Sequence, residues 1–172
     1  MKLLPLSRGQ FAKVDDEDFE ELNQWKWHAR WSETAKSFYA QRTVYDSKTK
    51  KKHAVHMHRV IMDTPKGMKT DHIDHDTLNN QKYNLRNCTQ SQNMMNRKGV
   101  NSNNSLGISG IARNGRNGFM AQITNPENGA TIYLGTYPSK EMAKQARMEA
   151  ELKYYGEFAP TATRERVAST AT

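Results

Sequence analysis

The chain has a single cysteine, Cys88, among its 172 residues, and therefore cannot form an internal disulfide. The same scarcity excludes a zinc ribbon built from Cys-x-x-Cys pairs. No apolar run approaches the roughly 20 residues that a membrane-spanning helix needs. No signal-peptide pattern opens the chain, and these absences predict an intracellular, soluble protein with no membrane partner. Because no histidine lies at a catalytic spacing from Cys88, we expect this thiol to fill space in a core.

Apolar side chains are also sparse, since hydrophobic residues make up 35% of the chain and aromatic residues 9%. A chain of this length forms one ordinary domain or two small ones, and each core must then be small and polar-rimmed. We expect Trp25, Trp27 and Trp31 to anchor the first core, because each buries a large apolar surface. Stacking on nucleic acid bases is the alternative role for these rings.

Acidic residues are outnumbered, with 26 Lys and Arg against 18 Asp and Glu, which gives a formal net charge of +8. A positive excess attracts phosphate backbones or anionic membranes. The alternative is that the basic residues form a surface that contacts only solvent. The excess is concentrated in residues 1–107, which hold 18 basic and 12 acidic residues. Part of it lies in a basic loop whose Lys50, Lys51 and Lys52 we predict to contact nucleic acid phosphates.

The most unusual stretch runs from Asp71 to Asn93, where acids, histidines and asparagines crowd into 23 residues. His72 follows Asp71 directly, Asn84 comes 12 residues after His72, and Asn93 lies nine residues beyond Asn84. A structural turn of this length does not need so many side chains that can bind a metal ion or a proton. We interpret the stretch as a nuclease site with one metal ion, which the rest of the chain supports.

Alternating apolar and polar residues predict short strands before this stretch. One hairpin precedes an acidic helix, because carboxylates favour a helix N-terminus. A strand over 37–45 then leads through the basic loop into a second strand over 54–62. In that strand His56 and His58 would share one face, and two histidines so placed can bind a transition metal. With no acid or cysteine close in sequence, we favour His58 and Arg59 as support for the site or as phosphate contacts.

Around the central stretch the pattern predicts a strand that ends at Asp71 and His72, a loop of turn formers, and a second strand or turn. A helix over about 89–97 should follow. This order of elements is a ββα unit. Residues 99–107 lack hydrophobic periodicity and are rich in Asn, Ser and Gly, which indicates a linker.

Three strand signals follow the linker, at 108–113, 119–124 and 131–137. A helix should then run from Ser139 as its N-cap to Gly156 as its C-terminal stop. Its apolar stripe is predicted to consist of Met142, Ala143, Ala146, Ala150 and either Leu152 or Lys153.

The two faces of this second sheet have different compositions. Strand alternation predicts that Phe119, Ala121 and Ile123 pack on the helix. The opposite face would stay open to solvent or to a groove of DNA; it consists of Met120, Gln122, Thr124, Thr131 and Tyr133.

These patterns predict an α+β protein with two domains. The first domain covers residues 1–98, with its ββα core at about 55–97, and the linker covers 99–107. The second domain, a three-stranded antiparallel sheet packed on one helix, covers 108–160. A disordered polar tail is expected at 161–172.

Five strings in residues 55–96, VHMHRVIM, DHID, NN, NLR and QN, resemble in order and spacing the HNH family of nucleases, in particular phage homing endonucleases. The resemblance implies that Asp71 and Asn93 bind one divalent cation, Mg²⁺ or Mn²⁺ rather than zinc, for which oxygen ligands are suited. It assigns His72 the role of general base, since an imidazole titrates near neutral pH. Asn84 would connect the two segments of the ββα motif and orient His72.

Two positions add alternatives to this assignment. Asn96 lies one helical turn after Asn93 and is a rival metal ligand. His75 occupies a turn position where many relatives have glycine. It would fill the turn, adopt a positive φ, or contact DNA.

Four strings in the second half, SGIAR, FMAQI, YLGTY and YYGEFA, resemble the AP2 DNA-binding domain, which also occurs fused to phage HNH nucleases. The resemblance implies a sheet face that contacts DNA. The contacts we predict are Arg113, Arg116, Gln122, Thr124, Thr131 and Tyr133. Plant members carry arginines where this chain has Ala112, Thr124 and Thr131, which argues against tight, plant-like sequence recognition.

Together these features predict a metal-dependent DNA endonuclease of the phage homing type, which nicks or cuts both strands. Its partner would be double-stranded DNA in the cytoplasm of an infected bacterium, contacted also by Lys50, Lys51, Lys52 and Arg59. We expect a monomer, for which nicking is the simpler outcome, with a dimer as the alternative. The alternative function is a DNA-binding regulator without catalysis. An RNA-binding module is disfavoured because no aromatic stacking platform is visible.

Overall fold

The computed structural model of the chain describes residues 1–96, 106–115 and 118–160. It divides into two compact units, Met1–Thr89 and Gln90–Thr172. Most of the predicted linker and the whole predicted tail lie outside the described residues, so the domain limits stay a prediction. No helix in the described part of the chain is long and apolar enough to span a membrane.

The first unit opens with an antiparallel hairpin of β1 (Lys2–Pro5) and β2 (Phe11–Val14), followed by α1 (Asp16–Asn23). The first turn of α1 is acidic, which offsets the partial positive charge of a helix N-terminus. Leu4 of β1 and Leu22 of α1 are buried together in the first hydrophobic core. The expected hairpin and acidic helix are therefore both present.

A three-stranded antiparallel sheet follows, formed in sequence order by β3 (His28–Ser32), β4 (Ser37–Asp46) and β5 (Lys51–His56). The central strand β4 pairs with both neighbours without a bulge. Side chains alternate between the two faces of a strand, and Ala40 of β4 is buried in the first core. One face of this sheet therefore builds the core, and the other face does not.

One of the three tryptophans has the predicted core position. Trp27 is 3% exposed, and its indole Nε1 donates to the Leu22 carbonyl at 2.9 Å. Trp25 is 49% exposed and stacks against the Arg42 guanidinium at 4.1 Å, while Trp31 is 37% exposed on the edge strand β3. The prediction was wrong for Trp25 and Trp31, because a core this small closes around a single indole and leaves the other two at its rim.

The predicted strand over 54–62 is wrong beyond His56, where β5 ends and α2 (Met57–Ile61) begins. Met57 is buried in the first core, and Ile61, one helical turn later, packs against the same core. A continued strand would instead have placed the intervening arginine on the core face together with both. The helix is therefore favoured because it directs Met57 and Ile61 to the first core and keeps the arginine out of that core.

A second antiparallel pair is formed by β6 (Lys69–His72) and β7 (Leu85–Cys88). The loop between them ends in a 3₁₀ turn at Lys82–Asn84. Cys88 is completely buried, in agreement with the packing role expected for it. The next element, α3 (Gln90–Met95), belongs to the second unit.

The second unit also contains a three-stranded antiparallel sheet, formed in sequence order by β8 (Ile111–Asn114), β9 (Gly118–Thr124) and β10 (Thr131–Tyr137). It packs on α4 (Lys140–Tyr155). The Ser139 side chain caps this helix by accepting a hydrogen bond from the helix backbone, as expected from the sequence.

The second core follows the predicted alternation on the sheet side. Ala121 of β9 and Ala143 of α4 are both 0% exposed and lie in one apolar cluster. The predicted stripe of α4 is wrong at Met142 and Leu152, which are 51% and 44% exposed. The helix buries Arg147 instead, whose guanidinium donates to a backbone carbonyl of β9 at 2.6 Å. A hydrogen-bonded cation thus takes a buried position that the predicted stripe did not include.

The short helix α2 buries a histidine as well as a methionine. His58 is 7% exposed. Burial lowers its pKa to about 2, and the positive charges of His72, His56 and Arg59 act in the same direction. Since the unfolded imidazole titrates near 6.5, His58 is neutral in the folded protein throughout the physiological range.

Because the pKa of His58 is lower in the folded state, the unfolded chain binds this proton first as the pH falls. We predict that the free energy of unfolding of the first unit decreases below pH 6.5, by about 2 kcal/mol between pH 7 and pH 5 for one such group. His58→Leu should lose much of this pH dependence. His53→Leu, which replaces an exposed histidine, should keep it. Urea titrations of the three proteins at both pH values measure the difference, and equal pH dependence in all three would contradict the prediction.

Candidate active site

The pairing of β6 with β7 places Asp71 directly opposite Arg86. Asp71 is 8% exposed and Arg86 is 7% exposed. The guanidinium donates to one carboxylate oxygen of Asp71, Oδ2, from Nε at 3.0 Å and from Nη2 at 2.8 Å. The predicted metal ligand is therefore one half of a buried ion pair. Sequence reasoning gave Arg86 no role, although a basic residue in a short buried strand is a signal that such a partner is needed.

His72, the last residue of β6, is 5% exposed and contacts the fully buried Asn80. The histidine Nε2 lies 3.3 Å from the Asn80 side-chain oxygen, and the Asn80 amide nitrogen donates to the Leu78 carbonyl at 3.2 Å. The second bond fixes the orientation of the amide, so its oxygen must accept from Nε2–H. The neutral ring therefore carries its lone pair on Nδ1.

Burial lowers the pKa of His72 below the ordinary histidine value. The hydrogen bond that His72 donates to Asn80 and the carboxylates of Asp71, Asp74 and Asp76 raise this pKa, but with smaller effect. His72 is therefore neutral, and able to accept a proton, at a lower pH than an exposed histidine.

Four rings, those of Tyr39, His56, His58 and His72, form what we call the histidine–tyrosine cluster. The imidazoles of His56 and His58 stack at 5.3 Å, and His58 meets His72 edge to face at 5.0 Å. Tyr39 lies 5.7 Å from His58 and 6.1 Å from each of the other two imidazoles. Burial and then the charge of Asp71 raise the pKa of the Tyr39 phenol.

The prediction that His56 and His58 share one face of a strand was wrong, because His58 belongs to a helix. Their two rings are nevertheless neighbours. The strand ends at His56, and the first turn of α2 brings the His58 ring back beside it. Within the described residues, Nδ1 of each of these two rings is buried without a hydrogen-bond partner. The pair packs against the site and supports the His72 ring.

Asn84 is 1% exposed and closes the loop that follows β6. Its side-chain nitrogen donates to the Asn79 carbonyl at 2.8 Å, and its side-chain oxygen accepts from the Asp74 amide at 2.9 Å. Asn84 therefore joins the 3₁₀ turn to the residues just after β6. The side chain that hydrogen-bonds His72 is Asn80, which sequence reasoning passed over because it stood in a run of turn formers.

The loop between β6 and β7 is also held from outside. The backbone of Lys13, in β2, exchanges hydrogen bonds with Leu78 and Asn80, both at 2.8 Å. Asp15 accepts two further bonds, each at 2.8 Å, from the side chain of Gln81 and from the start of the 3₁₀ turn. The first hairpin and Asp15, which follows it, thus fix the segment that carries the hydrogen-bond partner of His72.

His75 has a φ of 65°, in the left-handed region that glycine occupies at little cost. Its amide donates to the His72 carbonyl at 3.1 Å, which makes this turn the direct continuation of β6. Of the three alternatives for His75, the positive φ is the one that the backbone shows.

Arg59, predicted to contact DNA, uses its guanidinium within the protein. Its Nη1 donates to the Met68 carbonyl at 2.9 Å, and its Nη2 donates to the Thr64 carbonyl at 3.3 Å. These bonds hold the turn between α2 and β6. The exposed Lys50, Lys51 and Lys52 have no such internal role among their described contacts and lie at the β4–β5 turn.

Two predicted ligands, Asn93 and its rival Asn96, lie around α3 in the second unit. Asn93 is half-buried and Asn96 is 1% exposed. In the first unit the structure brings together Asp71, His72 and Asn84. Arg116 lies outside the described residues.

The open face of the second sheet carries the other predicted DNA contacts. Thr131 lies opposite Thr124, and Tyr133, 61% exposed, lies opposite Gln122. Arg113 lies opposite Phe119, on the face toward α4, with its guanidinium 5.7 Å from the Phe119 ring. The described part of the open face contains no charged side chain.

The donor set of the first unit suits a hard divalent cation. Asp71 supplies a carboxylate, and several asparagines, whose carboxamide oxygens can also bind a cation, follow it in the sequence. Within the described residues, no three His, Cys, Asp or Glu side chains converge closely enough to hold a metal by themselves. Mg²⁺ needs only one or two protein carboxylates and keeps several waters. The residues present therefore fit such an ion without forming a closed protein cage.

Comparison with known proteins shows the family of the chain. The HNH endonuclease family matches residues 54–95, a segment that contains Asp71, His72, Asn84 and Asn93. An uncharacterised HNH endonuclease of Acanthamoeba polyphaga mimivirus is 30% identical over 159 residues, which cover 91% of this chain and 77% of the viral protein. No solved structure gives a significant match. The chain belongs to the HNH endonuclease family.

Proposed function

We propose that this protein is a metal-dependent DNA endonuclease of the phage homing type, which hydrolyses phosphodiester bonds. One observation carries the proposal. A buried histidine, with its pKa lowered and its Nε2 bonded to Asn80, follows a buried carboxylate on one strand. A base that is desolvated and held in one tautomer suits proton transfer, and such a residue has no evident use in a protein that only binds DNA.

In this proposal Nδ1 of His72 takes a proton from the attacking water. Asn80 keeps the other ring nitrogen protonated and sets the plane of the ring. His58 packs edge to face against the same ring and limits its rotation. The base is thus held in one orientation before the substrate arrives, which lowers the reorganisation needed during the reaction.

Asp71 and Asn93 are the proposed ligands of the divalent cation, with Asn96 as the alternative to Asn93. When bound, Mg²⁺ or Mn²⁺ would stabilise negative charge at the scissile phosphate and the leaving oxygen. Arg86 holds the Asp71 carboxylate in one orientation. Because the guanidinium is itself positive, it also lowers the affinity of the carboxylate for any cation.

We further propose that the second unit binds DNA as an AP2-like domain. Support comes from its three-stranded sheet, which packs on one helix and leaves one face open. The proposed contacts are Gln122, Thr124, Thr131 and Tyr133 on the open face, together with Arg116. Arg113 is left out of this set because its side chain lies on the face toward α4. Since the described part of this face is uncharged, hydrogen bonds would contribute more there than phosphate attraction. In the first unit Lys52 would supply that attraction, with smaller contributions from Lys50 and Lys51.

The second candidate function, a DNA-binding regulator without catalysis, is favoured by one observation. Asp71 is already neutralised by Arg86 and is 8% exposed, so a cation must compete for it. The two functions differ in what the intact protein does to plasmid DNA in Mg²⁺, where a single site in a monomer should produce nicks.

Replacing the proposed base should remove most of the activity. We expect His72→Ala to lower the single-turnover cleavage rate by about two to four orders of magnitude, the usual contribution of general base catalysis. DNA affinity, measured in EDTA, should change little. The assay is conversion of supercoiled plasmid to nicked and linear forms, with His53→Ala, an exposed histidine, as the control that cuts normally. Cleavage by His72→Ala at the wild-type rate would show that the assignment is wrong.

The rate of cleavage should depend on pH in a way that reports the environment of His72. Because burial lowers the pKa of this histidine, its base form persists below pH 6.5, and the acidic limb of the pH–rate profile should have an apparent pKa below that value. Asn80→Asp places a negative charge beside Nε2 and should move the limb to higher pH. Asn23→Asp makes the same chemical change at an exposed position and should leave it in place. A wild-type limb above pH 6.5 would contradict the proposed environment.

Removing the carboxylate of the proposed metal site should separate cutting from binding. Asp71→Asn is expected to abolish cleavage and to weaken Mn²⁺ binding measured by calorimetry, while a gel shift in EDTA remains. Asp63→Asn, in an exposed turn with a positive φ that asparagine tolerates, is the control. Because Asp71→Asn removes the charged partner of Arg86, thermal unfolding is measured to verify that the variant still folds. If wild-type protein shifts DNA but leaves plasmid supercoiled in Mg²⁺ and in Mn²⁺, the regulator is the better description.

A further inference from the structure

We propose that the face of the β3–β4–β5 sheet turned away from the core is a surface that binds duplex DNA beside the scissile phosphate. The inference rests on the proposed function for its position relative to the cut, but not for DNA binding itself. We call this surface the outer face. Its central members, taken along the three strands, are His28, Arg30, Tyr39, Gln41, Thr43, Tyr45, Lys52, Ala54 and His56.

The register of the sheet defines the outer face without ambiguity. Arg30 lies opposite Tyr39, and Lys52 lies opposite Tyr45. Directly opposite residues share a face, and residues two apart along β4 share it as well. The intervening residue Ala40 is buried in the first core, so the face that carries Tyr39 and Tyr45 must be the other one.

The composition of the outer face suits a polyanion. Its exposed members include Arg30 and Lys52, and Tyr45 is 58% exposed although it is large and aromatic. Two acids occur between residues 28 and 56, and neither lies on this face. Glu33 is in the β3–β4 turn, and Asp46 alternates to the core side, where its carboxylate accepts from the following turn. A phosphate backbone is bound by cations, hydroxyl groups and amides and is repelled by carboxylates. The outer face carries the first three kinds of group and no carboxylate.

The outer face is continuous with the candidate active site. Tyr39 belongs both to it and to the histidine–tyrosine cluster, where it contacts His58 and His72. His56, at the end of β5, lies opposite Gln41 and stacks on His58. DNA seated on this sheet would therefore reach the proposed base without leaving the surface.

The dimensions of the outer face limit what it can contact. Tyr45 lies six residues beyond Tyr39 on β4, a separation of about 20 Å at the usual rise of a strand. A duplex advances about 3.4 Å per base pair, so the surface spans about six base pairs on one side of the cut. Its three strands are about 10 Å across, which is comparable to the width of a major groove.

Two neighbouring lysines allow a sharp test of this geometry. Lys52 lies opposite Tyr45 on the outer face, whereas Lys51 lies opposite Asp46 and alternates to the core side. Both are exposed, and both belong to the same edge strand. Replacing either removes the same charge from nearly the same place. Any difference between the two therefore reports the direction of the side chain.

The experiment measures equilibrium binding of a labelled random-sequence 40-base-pair duplex in EDTA at several salt concentrations. We expect Lys52→Ala and Arg30→Ala each to weaken binding several-fold and to reduce the slope of log affinity against log salt by about one. Tyr45→Ala should weaken binding with no change in slope. Lys51→Ala should have a smaller effect than Lys52→Ala. Lys26→Ala is the charge-matched control, since this exposed residue stands between two tryptophans that stack on Arg42 on the core side of the sheet.

Several results would overturn the proposal. Equal effects of Lys51→Ala and Lys52→Ala would show that only total charge matters, and an unchanged affinity in all outer-face variants would show that DNA binds elsewhere. A loss of affinity for single-stranded RNA but not for the duplex would point to a different partner. All measurements are made without metal and without cleavage, so failure of the nuclease proposal leaves their meaning unchanged. If the protein binds DNA through this face but never cuts, the surface stands and the catalytic assignment falls.

Discussion

The burial of Asp71 is the constraint on which the site depends. Removing a carboxylate from water costs several kcal/mol unless a partner compensates it, and Arg86 does so from the directly opposite position on β7. A slip of one residue in the pairing of β6 with β7 would send the guanidinium to the other face and leave the carboxylate alone. The ion pair therefore selects one register, and that register places His72 at the end of β6 beside Asn80.

Around this pair, a chain with few apolar residues builds rigidity from hydrogen bonds. Asn84 closes the loop after β6 from inside, and Lys13 and Asp15 hold the same loop from the first hairpin. Each bond contributes about 1 kcal/mol, but the bonds converge on one segment, so they restrict its motion together. A base needs its partner within a fraction of an ångström, and a loop fixed at both sides provides that more surely than packing in a small core.

The parts of this structure that could be predicted are those set by local pattern. The adjacency of Asp71 and His72 at a strand end, and the sheet and helix of the second unit, follow from alternation and capping. The helix at Met57–Ile61 could not be predicted, because an apolar spacing of four suits both a strand and a helix, and only the core decides between them. Arg86 and Asn80 were missed for a different reason. Their roles come from residues 15 and eight positions away in the sequence, which a reading of local pattern does not connect.

The sheet of β3, β4 and β5 does two things at once, and this ties stability to function. Its core face holds Ala40 in the first core, while Tyr39 on its outer face lies against His72. Because side chains alternate strictly along β4, any change of register that exposed the core would also exchange the two faces. Selection for a stable first unit therefore maintains the outer face as well, and a sheet that folds correctly presents the same surface beside His72 every time.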